Sequence, residues 1–229
     1  MKEELGMEMQ LSLTEEDYLK AIYYLSIQSE GKEISTNDIA RKMEIKAASV
    51  SDMIKKLSQK KMVDYVKYQG VSLTKVGRQS AVYLIRKHRL WETFLVHKLQ
   101  FSWEEVHEVA EQLEHIQSRK LIERLDEYLD YPRFDPHGDP IPNENGEIIE
   151  RKRISLKNAP LQQLVKVIAV EESSALFLKH LNKLQVKIGT EIQILEKNEY
   201  DESLEIQVEG NRVIMVSKDV AENIYISKS

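Results

Sequence analysis

The sequence has no cysteine. Disulfides are thereby excluded, and so is any metal site built on thiolates, which leaves imidazole and carboxylate as donors for a cation. Long apolar runs are equally missing. No stretch approaches the roughly 18 uncharged apolar residues that a membrane-crossing helix needs, and the first ten residues, MKEELGMEMQ, lack the basic start and apolar core of a secretory leader. A cytoplasmic protein with no membrane partner is therefore expected. Proline is scarce, and four of the five prolines fall between Tyr131 and Gly146. That clustering marks an irregular boundary segment and leaves the rest of the chain free for regular structure.

What is present fits a soluble, folded chain. A hydrophobic share of 41% beside 31% charged residues is too apolar for general disorder, and 229 residues suffice for two or three small domains with their own cores. The net charge of −5 is unevenly spread. From Ile34 to Leu90 there are thirteen Lys or Arg against four Asp or Glu, a balance of +9 that leaves −14 for the remainder. A basic module attached to acidic ones is the electrostatic signature of a nucleic-acid reader.

Leu13 to Ser29 reads as a first helix, with Thr14 as its expected cap, Asp17 three residues on, and Ser29-Glu30-Gly31 at its end. Ile34 to Met62 divides into two helices around a turn near Glu44 to Lys46. Ile39, Ala40 and Met43 form one buried stripe, and Val50, Met53, Ile54 and Leu57 the other. The alternating stretch MVDYVKYQGVSLTKVG then signals a hairpin about Gln69-Gly70. Helix-turn-helix followed by a hairpin is a winged helix. The N-terminal turns of its second helix would enter the major groove, where Ala47 and Ala48 permit close approach, Ser49 and Ser51 can bond phosphate or base edges, and Lys46 would meet phosphate. Lys55, Lys56 and Lys60 would meet phosphates, as would Lys67, Tyr68 and Gln69 at the wing. Asp52 either accepts from a cytosine amino group or is merely exposed.

Thr74 to Leu129 is helical again, with more apolar surface than one small winged helix covers, so a homodimer is expected. Within it, His107, Glu111, Glu114 and His115 stand at i, i+4, i+7 and i+8, and His88 and Glu92 at i and i+4. Helical geometry would gather each set on one face. Oxygen and nitrogen donors without thiolate suit divalent manganese, iron, cobalt or zinc. Leu161 to Val170 reads as a strand, Ser173 to Leu184 as a short helix, and four further alternating segments as strands of a small SH3-like barrel. The expected architecture is mainly α with small β parts. It comprises a winged helix over 1–73, a helical dimerisation and metal-binding domain over 74–141, a linker over 142–160 and an SH3-like, FeoA-like domain over 161–229.

The motifs EDYLKAIYYL, SVSDMIKKL, GVSLTKVG, KHRLWETFL and EVAEQLEH, in this order and spacing, resemble the diphtheria-toxin-repressor and manganese-transport-regulator family over essentially the whole chain. The resemblance implies a DNA-binding repressor of metal-ion homeostasis, not an enzyme, with divalent metal promoting the binding of a homodimer to a palindromic operator. It implies a principal metal site on Asp17, Glu111, Glu114 and His115, and a neighbouring one on His88, Glu92 and His107. Iron-responsive members similar to the toxin repressor carry Met and Cys where this chain has Asp17 and Glu111. The oxygen donors here favour Mn2+, with Fe2+ as the alternative and Co2+ or Zn2+ as substitutes. Lys20 departs from the short manganese regulators, which carry Glu there. Asp135-Pro136-His137-Gly138 resembles a segment that adds ligands in longer streptococcal-type members, with Asp135 in place of Cys. Glu171 or Glu172 falls near the position from which the SH3-like domain reaches the second site. A cation shared between Asp17 and the later ligands would fix the angle between reader and dimerisation domain. A hydrolytic metal centre, with Glu111 or Glu114 as general base, and a metal-independent DNA-binding protein are the competing readings.

Overall fold

The computed structural model describes residues 11–29, 33–66, 69–149, 151–171 and 174–228. By contacts these form two compact units, one from within 1–87, 114–117 and 142–146, the other from within 88–113, 118–141 and 147–229.

In the first unit, helix α1 (Leu13–Gln28) begins at Ser12. The Ser12 hydroxyl accepts from the Glu15 amide, and the Glu15 carboxylate accepts from the Ser12 amide at 2.7 Å. This capping box satisfies two orphan amides at once and puts the cap two residues before the expected Thr14. Asp17 is therefore not a capping partner. Helix α2 (Thr36–Lys42) is capped by Ser35, and α3 (Ala47–Gln59) follows a turn in which Glu44 adopts φ 56°. Strands β1 (Val63–Val66) and β2 (Gly70–Leu73) pair antiparallel from Val63↔Leu73 to Val66↔Gly70, and Ile34 bridges to Val71. Leu19, Ile22, Ile39, Val50, Ile54, Leu57 and Val71 are sealed from solvent. Met43 and Met53, expected in the buried stripes, are only half-buried. Helix α4 (Lys75–Leu99) leaves the hairpin beside Gly77, where a Cβ would stand 1.9 Å from the Met62 carbonyl oxygen.

Glu15 also ties α1 to α3. Its carboxylate, 1% exposed, receives Lys60 Nζ at 2.8 Å and Lys56 Nζ at 3.2 Å. Burial alone would raise its pKa, but the hydrogen bonds from Lys60, the Ser12 amide and Lys56 hold it down at about 2.

The second unit contains α4 from His88 onward, α5 (Val106–Leu113) and α6 (Arg119–Tyr128), the last capped by Ser118. The proline-rich segment is irregular, as expected, apart from a bridge between Phe134 and Pro140. An SH3-like antiparallel sheet follows. Its strands are β3 (Ile154–Ser155), β4 (Leu164–Val170), β5 (Glu191–Lys197), β6 (Leu204–Val208), β7 (Arg212–Val216) and β8 (Ile224–Lys228), in the order β3-β8-β4-β5-β6-β7. Helix α7 (Ala175–Leu184) and the short α8 (Lys218–Glu222) close it over a core that includes Val165, Val167, Leu178, Leu181, Ile192, Ile206 and Ile224. Strand β4 starts at Leu164, later than the expected Leu161, because Gln162 turns with φ 59° and donates its amide to the Ile194 carbonyl.

Gly138 lies against β4. Its φ is +87°, and an added Cβ would stand 2.0 Å from the Ile168 carbonyl oxygen. The neighbouring His137 carbonyl accepts from the Val170 amide at 3.0 Å. Only a residue without a side chain fits that approach.

Candidate metal centres

The expectation that one helical face carries His107, Glu111, Glu114 and His115 is corrected by the end of α5 at Leu113. Glu114 and His115 lie in the turn beyond it, so the four side chains divide between two clusters. His107 and Glu111 remain one helical turn apart, with Nε2 to Oε1 at 3.3 Å. Glu111, expected in the principal site, is thus found paired with His107 and half exposed.

In the first unit, donor atoms of Asp17, Glu114 and His115 all lie within 4.8 Å of one another. His115 Nε2 is 3.1 Å from Asp17 Oδ1, and its Nδ1 is 2.6 Å from Glu16 Oε2. Gln117 Nε2 donates to the other Glu16 oxygen at 2.9 Å. Glu114, 1% exposed, receives Lys20 Nζ on both carboxylate oxygens at 2.9 and 2.8 Å. Lys87 Nζ stands 3.8 Å from Glu16, and burial lowers its pKa against the opposing pull of Glu16 and Glu114. The enclosed anions therefore face lysine ammonium groups. Sequence reasoning missed Glu16 and Lys87 as members of this cluster, and nothing in their spacing could have supplied them.

The second unit gathers its cluster around Glu92, which is 2% exposed. His88 Nε2 lies at 3.0 Å and His107 Nδ1 at 3.2 Å from Oε1, with His137 Nδ1 at 3.7 Å from Oε2. Two candidate triads share this carboxylate: His88, Glu92 and His107, and Glu92, Asp135 and His137. Burial would raise the Glu92 pKa, but the His88 charge and hydrogen bonds from His107, His137 and His88 hold it well below the usual range. His107 is pushed up to about 9 by Glu111 and Glu92. His137 also reaches about 9, because the Glu92 contacts outweigh burial. Asp135 rises to about 7 through burial and the nearby Asp139 and Glu92 charges, despite Arg89.

Second-layer contacts orient this cluster. His137 Nε2 is 2.8 Å from the Trp103 carbonyl oxygen, which leaves Nδ1 facing Glu92. The Trp103 indole lies nearly parallel to the His137 ring, 6.1 Å between centroids, and donates its N–H to Asn182 Oδ1 at 2.9 Å. Asp135 Oδ1 accepts from the His137 and Asp139 amides. Glu171, a candidate ligand, is instead paired with Arg153 at 3.3 Å. The alternative, Glu172, lies outside the described residues.

At the basic face, Lys46, Ala47, Ala48 and Ser49 are exposed at the start of α3, while Val50 is fully buried. Ser51 is half-buried, with its hydroxyl donating to the Ala47 carbonyl at 3.3 Å. Asp52 pairs with Lys55 at 3.2 Å, and Lys56 reaches back to Glu15. Gln69 is exposed; Lys67 and Tyr68 lie outside the described residues. Among the described residues no helix is long and apolar enough to cross a membrane.

Three family models match. Residues 10–71 match the N-terminal DNA binding domain of iron dependent repressors, and residues 74–143 their metal binding and dimerisation domain. Residues 154–228 match the FeoA domain. The iron-dependent repressor IdeR of Mycobacterium leprae is 34% identical over 129 residues, a stretch covering 56% of this chain and 55% of that relative. The manganese regulator SloR is 39% identical, covers 94% of this chain and 98% of its own, and superimposes with a TM-score of 0.74. A manganese-dependent transcriptional repressor in complex with manganese reaches 0.81 at 28% identity, covering 94% of this chain and 100% of its own.

Proposed function

The chain belongs to the family of metal-dependent transcriptional repressors typified by the diphtheria toxin repressor and the manganese regulators, and from that premise we propose that it is a homodimeric repressor of metal-ion homeostasis whose binding to a palindromic operator is promoted by Mn2+. Fe2+ is the alternative effector. The observation that carries this reading is the convergence of Asp17, from α1 of the winged-helix unit, with Glu114 and His115 from beyond α5.

Two carboxylates and an imidazole form a hard, oxygen-weighted donor set, which fits manganese better than sulfur-containing sets do. A bound divalent cation supplies the concentrated positive charge that draws such donors together. Asp17 and Glu114 would offer oxygen and His115 nitrogen, with Glu16 orienting the imidazole through Nδ1. The second site would use Glu92 with His88 and His107, or with Asp135 and His137. The solved relative that carries manganese supports this choice of metal.

For DNA, the exposed start of α3 would enter the major groove, with Lys46 and Lys55 on phosphates and Ala47, Ala48 and Ser49 at the bases. Half-sites about 34 Å apart would need both copies of α3 presented together. Asp17→Ala should abolish metal-stimulated binding while leaving the dimer and its helix content intact. Fluorescence anisotropy on a palindromic operator, with Mn2+, Fe2+, Zn2+ or a chelator at fixed salt, tests this. Unchanged metal stimulation in the variant overturns the proposal.

A further inference from the structure

We propose that Lys20 is an internal competitor for the cation at Asp17, Glu114 and His115, and so sets the free metal concentration at which that cluster fills. The inference rests on the reading of the cluster as a metal site. Lys20 Nζ stands 2.9 and 2.8 Å from the two Glu114 oxygens, so the ammonium occupies the chelating bite of the carboxylate. Both partners are enclosed, with 13% of the Lys20 side chain and 1% of that of Glu114 exposed. Glu114 is therefore held by groups of the protein rather than by bulk water.

A carboxylate retains outer lone pairs when its bite is filled. A divalent ion can take one of those with the ammonium still in place, at the cost of charge repulsion in a poorly screened pocket, or it can displace the ammonium and forfeit the ion pair. Either way metal binding is opposed by the same residue. Lys87 stands nearest Glu16, at 3.8 Å, and its charge also reaches Glu114, so it adds to the opposition without entering the bite of that carboxylate. The opposition comes from charge and geometry rather than ligand chemistry. It weakens every divalent ion by a similar factor and moves the threshold without reordering the metals.

The test uses the full chain with His88→Ala and His137→Ala to silence the second cluster, and follows Mn2+ by loss of its free-ion paramagnetic resonance signal. Lys20→Gln and Lys20→Met should each tighten the dissociation constant by about tenfold or more, the scale of one charged hydrogen-bonded contact. Co2+ and Zn2+ should shift alike. The melting temperature of the metal-free protein should fall while that of the manganese-saturated protein holds, so the metal-induced rise grows. A merely structural lysine would lower both. Unchanged or weaker Mn2+ binding by both folded variants overturns the inference. Asp17→Ala in the same background separates the two readings. If it leaves the titration intact, the site reading fails and takes this one with it; if it removes binding while the Lys20 variants do not tighten it, only the role of Lys20 falls.

Discussion

The two candidate metal clusters hold similar numbers of carboxylates but balance them differently. Around Glu114 and Glu16 the partners are the ammonium groups of Lys20 and Lys87 together with the imidazole of His115. Around Glu92 they are the imidazoles of His88, His107 and His137. An ammonium group can only oppose a cation, whereas an imidazole can itself become a ligand once deprotonated; burial lowers the Lys87 pKa, while His107 and His137 are raised to about 9. The first cluster thus brings one imidazole, that of His115, towards a cation, where the second brings three. The second therefore couples metal to proton more strongly, because each imidazole that binds a cation must first lose its hydrogen.

Gly138 separates the two clusters most sharply. A methyl group there meets the Ile168 carbonyl oxygen at 2.0 Å on a backbone with φ +87°. Gly138→Ala should therefore cost about 3 kcal/mol or more and reduce metal uptake at the Glu92 cluster, while uptake at Asp17, Glu114 and His115 persists. Calorimetry combined with metal stoichiometry checks both halves. Next in size is Glu92→Gln, which leaves three imidazoles without their shared anion and should destabilise the protein by about 2–4 kcal/mol. The variant should bind one class of metal site fewer, as read by isothermal titration.

A smaller effect follows from pH. His107 and His137, raised to about 9, contribute stability that is complete below their unfolded value of about 6.5 and is lost as pH climbs through 9. Asp135, raised to about 7, works in the same direction over a lower range. Glu92 is depressed and acts oppositely, its contribution vanishing only in acid. The metal-free protein should therefore lose melting temperature steadily from pH 6 to pH 9, and Glu92→Gln should flatten that slope. A slope unchanged in the variant would show that the shared anion does not set it. Smallest of all, Trp103→Phe removes the hydrogen bond to Asn182 and should cost about 1 kcal/mol, weakening metal at the His137 cluster only a few-fold.

Much of this was legible in the sequence because it is local. The capped helices, the helix-turn-helix and the hairpin each follow from residues within a few positions of one another, as do the His88–Glu92 and His107–Glu111 pairs. The misjudged parts depend on where an element begins or stops: the cap of α1 is Ser12 rather than Thr14, and β4 starts at Leu164 rather than Leu161. Reading α5 through to His115 placed four ligands on one face; its end at Leu113 sends Glu114 and His115 to α1 instead. The contacts between Lys20 and Glu114, Glu16 and His115, and Trp103 and Asn182 join residues 94, 99 and 79 positions apart. Periodicity carries no information over such separations. Asp17 and His137 entered through family resemblance rather than spacing, for the same reason.

The two tryptophans of the chain both belong to the second unit. Trp91 precedes the shared carboxylate and is 8% exposed, and Trp103 lies over the ring of His137. Indole emission, excited apart from that of the tyrosines, is consequently a reporter of the second unit. A paramagnetic ion settling beside Glu92 extinguishes indole light at short range, so the filling of that cluster can be followed in an unlabelled sample.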